Sequence, residues 1–321
     1  MVLGVPVESS ESVVAMSDPT VSVVIPTNLD DEFLREAVAS VVDQTYQDWE
    51  LVVVVNGCGG DFRDLPRMDP RVRVVSDRIA SVSRARNIGG FGSRGRMVAF
   101  LDHDDVFLPE HLALQVAVLN DRDDAGMCYG KFHSMDREGN LYGADSGREA
   151  RYTDFLRGRF AVLMSTTMVR RSVLEAVGGF DPLLVTGQDI DFILRVAQAS
   201  DLAFIPEVIT YYRRHGGNAS GDPWTAQWDV DPILRKHRRW ARRQDRRDLE
   251  SAATAGLRHI RFVNAHIAYD EARAARKEGD YGALTRSAVR SLAINPMVGP
   301  ADVARSVWRI VSGRFPAPGA R

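Results

Sequence analysis

The chain has 321 residues, 45% of them hydrophobic, enough to bury a substantial core in one large or two smaller domains. A formal net charge of −2 removes any global electrostatic case for a nucleic-acid partner, and the basic run RKHRRWARRQDRR (235–247), eight Arg or Lys against one Asp, makes charge a local question. Two cysteines, Cys58 and Cys128, exclude a disulfide framework and a cysteine-paired metal site, and no run reaches the roughly 18 apolar residues of a membrane span.

Residues 1–19 are mixed and aperiodic and read as a flexible leader. No basic region followed by an apolar core opens the chain, so the expected location is cytoplasmic, with membrane contact confined to an inner face. VSVVIP (21–26) and WELVVVVN (49–56) are β-branched apolar runs suited to strands covered on both faces. Between them Phe33, Leu34, Ala37, Val38, Val41 and Val42 recur at helical spacing behind the capping candidates Asp30 and Asp31. RVRVVS (71–76) and RMVAFLD (96–102) add two strands around a short helix, SRARNIGGFGSRG, that runs into glycines. Strands alternating with helices predict an α/β fold with a mostly parallel sheet, whose ligands bind at the carboxyl ends of the strands.

Further along, MCYGKF (127–132) reads as a strand, RRSVLEAVGGF (170–180) as a helix closed by Gly178 and Gly179, and DIDFILRVAQA (189–199) as a second helix. From about residue 224 the chain is Arg-, Ala- and Leu-rich with helical periodicity. The expected organisation is a leader over 1–19, a catalytic domain over 20–222 and a helical extension over 223–321.

The chemistry concentrates in FLDHDDVFLPEH (100–111). Asp102, Asp104 and Asp105 emerge from a buried strand at the sheet's carboxyl edge, where like charges need a cation among them. A hard divalent ion bound through one or two carboxylates plus substrate phosphates meets that need. An Asp-rich turn capping the helix that LPEH opens is the plainer alternative, and Asp105 is a candidate either for that cap or for a partner supporting the metal-binding carboxylates. His103 and His111 read as local hydrogen-bonding or surface residues.

VSVVIPTN, VVVVNG, SRARNIG, AFLDHDD, GGFDPLLVTGQDIDFILR and YYRRHGGNAS, in that order and spacing, resemble the nucleotide-sugar glycosyltransferases of the GT-A (Rossmann-like) fold, specifically glycosyltransferase family 2. The resemblance spans roughly residues 20–220. It implies donor-nucleotide contacts from Pro26, Thr27, Asn28 and Asn56, an approach of Arg86 to the nucleotide or its phosphates, and an Asp-x-Asp motif. In that motif Asp102 faces the ribose and Asp104 binds Mg2+ or Mn2+. Relatives often end the second strand in two aspartates, whereas this chain has Val55-Asn56, which weakens a specific claim for a UDP donor and leaves a dTDP or other nucleotide open. An acidic pair ahead of an apolar helix supplies the general base, and here Gln188 replaces its first member and Asp189 is the second. Asp191 is then structural or orients the acceptor. His215 completes the metal site or touches the diphosphate, Arg213 and Arg214 are phosphate candidates, and Gly216 and Gly217 let a loop close over the donor.

The resulting expectation is an inverting, metal-dependent transferase moving a sugar from a nucleoside-diphosphate donor to a hydroxyl on a glycan or lipid-linked acceptor, as in cell-envelope polysaccharide synthesis. A catalytically inert nucleotide-sugar-binding or partner-binding domain of the same fold is the alternative, kept open by Val55 and Gln188. A nucleotidyltransferase would need a glycine-rich basic loop where Pro26-Thr27-Asn28-Leu29 stands. The run 235–247 carries no nucleic-acid motif and reads as a charged helix face. ADVARSVWRIVSGRF (301–315) aligns Val303, Val307, Ile310, Val311 and Phe315 in an apolar stripe bordered by arginines, suited to peripheral membrane contact or to packing on this chain or a second subunit.

Overall fold

The computed structural model describes residues 18–57, 59–158, 162–215 and 223–294. The leader up to residue 17, Gly216, Gly217 and the 301–315 stripe lie outside them. The N-terminal half alternates as expected: β1 Val21–Thr27, α1 Glu32–Val42, β2 Trp49–Asn56, α2 Leu65–Met68, β3 Val72–Asp77, α3 Val82–Gly92 and β4 Met97–Phe100. Asp31, extended at φ −137°, caps α1 by accepting the Leu34 N–H at 3.1 Å. Then follow β5 Val106–Phe107, α4 His111–Asp121, β6 Ala125–Met135, β7 Leu141–Ser146, α5 Tyr152–Leu156, a 3-10 turn Met164–Thr166 and β8 Thr167–Arg170. α6 Arg171–Val177 ends at Gly178, left-handed at φ 76°, and α7 Gln188–Ala199, β9 Asp201–Arg213, α8 Pro223–Arg243, α9 Arg247–Glu278 and α10 Tyr281–Ile294 complete the described chain.

Among the described residues nine strands form one sheet, ordered β3-β2-β1-β4-β8-β6-β9-β5, with β7 paired to β6. β3, β2, β1 and β4 run parallel. β8 is antiparallel to both β4 and β6, β9 is parallel to β6, and β5 is antiparallel to β9. The expected parallel sheet is thus the half that starts the chain, and the second half is mixed.

Alternation along β1 and β2 explains why both read as unbroken apolar runs. Val24, Val52 and Val54 enter the core on one face, with α3, α6 and α7, while Val21, Val23, Ile25, Leu51 and Val53 enter the other, with α1 and α4. β1 to α3 is a close approach: a Cβ on Gly89 would meet Val24 Cγ1 at 2.3 Å.

The helical extension shares the first of these cores. Val230, Ile233, Leu234 and Ala241 of α8 and Leu249, Ala252, Ala253 and Leu257 of α9 pack with Phe155 and Phe192. The solvent face of the basic run is laced by Arg235–Asp231, Arg242–Glu250 and Arg246–Asp248 pairs, while His237 is buried and meets the Tyr152 hydroxyl at 2.8 Å. Among the described residues no helix is long and apolar enough to cross a membrane.

α9 rests directly on the α5 backbone, since a Cβ on Gly256 would stand 2.0 Å from Leu156 O. Gly256→Ala should therefore lower stability by about 1–3 kcal/mol in chemical denaturation, the cost of overpacking. Gly282→Ala, at an exposed position of α10, should raise it by about 0.5–1 kcal/mol through helix propensity. If both variants shift in the same direction, the α9–α5 contact is not what constrains Gly256.

Candidate active site

The ends of β1, β2 and β4, the start of α7 and the end of β9 supply the residues singled out in the sequence. At the end of β1, Pro26 and Thr27 are buried and Asn28 is exposed. The Thr27 hydroxyl donates to Leu29 O at 2.7 Å and accepts from Leu29 N at 3.1 Å, so it shapes the turn that presents Asn28. In the amide orientation that satisfies both its ends, buried Asn56 donates to Thr27 O at 2.6 Å and accepts from Ser81 N at 3.0 Å. It thereby ties the β1 and β2 ends to Ser81, the N-cap of α3.

Arg86, on the second turn of α3, is 3% exposed and donates through Nη2 to Asp102 Oδ1 at 2.6 Å. Its guanidinium lies 5.3 Å from the Phe180 ring centroid. Nε and Nη1 are buried without a hydrogen-bond partner among the described residues, so Arg86 retains donor capacity that Asp102 does not use.

Asp104 and Asp105 face different partners. Asp104 Oδ2 is 3.0 Å from His215 Nε2, just past the end of β9. Asp105 is fully buried and accepts from Ser165 Oγ at 2.5 Å and from Arg213 N at 3.0 Å. Burial first, and then the charges of Asp102 and Asp104, push its carboxyl well above the usual carboxylate range. Of the two roles expected for it, the cap of α4 is corrected, since Glu110 occupies the cap position and makes no side-chain cap bond, and Asp105 instead stands buried behind its neighbouring carboxylates.

Arg213 is corrected too. Rather than facing phosphate it is 2% exposed, paired with Glu36 Oε2 at 2.5 Å and bonded through Nε to Asp104 O at 3.0 Å, whereas Arg214 is exposed. His111 is a core residue: its Nδ1 lies 2.8 Å from Ile209 O, its ring stacks on Phe107, and burial lowers its pKa to about 3. Ser165 and Glu36 carried no sequence signal, since their partners lie 60 and 177 positions away.

Across the site, Gly187 takes a left-handed conformation (φ 69°) and starts α7 with Gln188 and Asp189. Asp189 Oδ1 accepts the Ile190 N–H at 2.8 Å. Burial raises its pKa, against the lowering effects of the Ile190 N–H and of the Arg86 charge, while the Asp102 charge adds to the rise. Asp191 is buried and paired with Arg195 at 2.7 Å and with Lys236 of α8 at 3.4 Å, a structural role.

The residues present fit a hard divalent cation. Asp104 offers a carboxylate oxygen and His215 an imidazole nitrogen, joined here by a 3.0 Å hydrogen bond, and the two are donors that one divalent ion could share. Among the described residues no group of three or more His, Cys, Asp or Glu side chains is placed to hold a metal, so the remaining positions would fall to phosphate and water oxygens.

Residues 22–178 match the family model "Glycosyl transferase family 2". The chain is 26% identical over 214 residues to the "Uncharacterized glycosyltransferase MJ1057" of Methanocaldococcus jannaschii, covering 62% of this chain and 72% of that one. It spans only 16–35% of the length of three further relatives. Among solved structures, residues 1–349 of TarS from S. aureus in complex with UDP-GlcNAc have a TM-score of 0.63 at 15% identity, covering 90% of this chain and 84% of that one. The mannosyltransferase PcManGT from Pyrobaculum calidifontis in complex with GDP-Man and Mn2+ has a TM-score of 0.56 at 17% identity, covering 94% and 82%. These likenesses establish the GT-A fold.

The Arg86–Asp102 pair makes a stability prediction. Asp102→Ala strands a buried guanidinium and should cost about 1–3 kcal/mol in urea denaturation. Adding Arg86→Met should recover part of that loss, and a double variant less stable than Asp102→Ala alone would show that the pair is not the source.

Proposed function

The chain belongs to glycosyl transferase family 2, and on that premise we propose that it is an inverting, metal-dependent transferase for a nucleoside-diphosphate sugar of UDP or dTDP type. The acceptor is a hydroxyl of a glycan or lipid-linked glycan, in the cytoplasm or at the inner face of its membrane. One observation supports the reading: directly after β4, Asp102 pairs with Arg86 at 2.6 Å and Asp104 with His215 at 3.0 Å, so one strand end presents a cation and a carboxylate–imidazole pair together.

Asp104 and His215 would hold Mg2+ or Mn2+, which when bound would neutralise the charge developing on the departing diphosphate. Arg86 offers its unused N–H groups to the same anion, and Asp102 holds that guanidinium in place while its free oxygen faces the ribose. Thr27 and Asn56 shape the strand ends that hold the nucleoside, with Pro26 and Asn28 at its edge. Asp189, on the acceptor side, removes the hydroxyl proton as the oxygen attacks the anomeric carbon from the face opposite the diphosphate.

Asp189→Asn should cut turnover by about 10²–10⁴-fold and leave UDP or dTDP affinity intact, as read by nucleoside-diphosphate release over a panel of donors and acceptors. Wild-type protein that binds nucleotide but turns over no donor in that panel would point instead to the inert reading.

The pH profile has a definite sign. A base works only when deprotonated, and burial raises the Asp189 pKa. The acid limb of kcat/KM therefore lies above the ~3.9 of an ordinary aspartate, and rate is lost as pH falls through it. The same raised pKa favours the native state at low pH and loses that contribution as pH rises through it, so Asp189→Asn should be at least as stable as wild type at neutral pH. An acid limb at the ordinary value, or a destabilised Asn variant, would remove Asp189 from the role.

Asp104→Asn and His215→Ala should each weaken Mn2+-dependent UDP binding in calorimetry while sparing binding measured with chelator. Unchanged Mn2+ dependence in both variants would sink the metal assignment.

A further inference from the structure

Asn87 directly follows Arg86 on α3, and it makes two hydrogen bonds to a single distant residue. Its Nδ2 donates to Phe180 O and its Oδ1 accepts the Phe180 N–H, both at 2.7 Å. A side-chain amide here does what a neighbouring strand would do, satisfying the donor and the acceptor of one buried peptide segment. Gly179 makes room for it: a Cβ there would stand 2.3 Å from Asn87 Oδ1, and its φ of 68° suits glycine.

The clamped residue touches both halves of the site. The Phe180 ring lies under the Arg86 guanidinium, centroid 5.3 Å away, and stacks on Phe192 of α7 at 4.2 Å and 21°. Phe192 sits three residues after Asp189, on the same side of the helix. Between Phe180 and α7, Leu184 packs on the core, whereas Leu183 and Val185 are 88% and 78% exposed.

We propose that Asn87 is a positioning residue that sets where Asp189 stands relative to the donor-side arginine, by clamping Phe180 against the first turns of α7. The proposal rests on Asp189 being the base. Loss of the clamp frees the 180–187 segment and lets α7's first turn drift, while leaving the strand ends, the Arg86–Asp102 pair and the Asp104–His215 pair in place.

The test uses full-length Asn87→Ala and Asn87→Asp. The aspartate can still accept the Phe180 N–H but loses the N–H donor and faces the Phe180 carbonyl, so it provides a second route if the alanine variant folds poorly. Affinity for UDP and dTDP with Mn2+ should stay within about twofold of wild type, because a displacement of α7 leaves donor contacts intact. Amides in 180–190 should exchange about tenfold faster or more. With the donor that turns over in the panel, kcat should fall about 100-fold at unchanged donor KM, the effect of a misplaced reacting group.

Unchanged exchange over 180–190 would overturn the proposal. So would loss of nucleotide affinity at unchanged kcat, which makes Asn87 a donor contact, or global unfolding of both variants, which makes it a core residue only. Full turnover in Asp189→Asn would overturn it through the base assignment, a failure told apart by the exchange result, which does not depend on that assignment.

Discussion

Three carboxylates leave a buried strand within four residues, and everything at the site follows from how their charge is held. Asp102 is met by Arg86 from α3, Asp104 by His215 beyond β9, and Asp105 by the Ser165 hydroxyl and the Arg213 backbone N–H. Like charges at this spacing repel strongly once water is excluded. The compensating groups come from three separate stretches of chain, α3, the 3-10 turn and the end of β9, so those stretches must converge before the cluster is tolerable. Arg213 reinforces that convergence through bonds to Asp104 O and to Glu36 of α1. Asp104 and His215 meet across a 3.0 Å hydrogen bond, and it is this pair that the proposed metal would take as ligands.

Much of this was legible in the sequence, for identifiable reasons. β1 and β2 sit between two helical layers, so both faces are apolar and the runs VSVVIPT and WELVVVVN announce themselves. α1 and α7 have strong stripes and start signals. The mixed half was poorly legible because its order is non-local: β5 has two residues, and β8 has four wedged between β4 and β6, too short for any periodicity. Asp105 shows the limit most clearly. Local grammar makes an aspartate before Pro109 and a helix a capping candidate, but burial beside Ser165 and Arg213 gives it a tertiary role that no local window contains. Arg213 and Arg214 look equivalent as neighbours, yet a strand carried through Arg213 puts one inside and the other out, a distinction that period-two alternation decides.

The site is divided between a rigid and a less anchored half. One half, proposed to hold the donor, is built on strand ends, where hydrogen bonding along the ladder leaves little freedom, and on α3, pressed to β1 through Gly89. The other half, proposed to face the acceptor, begins at α7, reached by a segment that carries two largely exposed aliphatic side chains. An aromatic group, Phe100, Phe180 and Phe192, joins the halves, with Phe180 stacked on Phe192 and edge-on to Phe100.

The helical extension acts on the same half. Asp189 and Asp191 stand two residues apart at the start of α7, similar in type and in favourable interaction with the helix terminus, yet their surroundings divide them. Asp191 is neutralised twice, by Arg195 within α7 and by Lys236 from α8. Asp189 has no ion pair among the described residues, and burial raises its affinity for a proton. A general base must be an accepting carboxylate that is not already committed to a cation, and on the proposed reading that condition favours Asp189 over Asp191. Because one of the cations that hold Asp191 comes from α8, the extension contributes to this difference between the two aspartates.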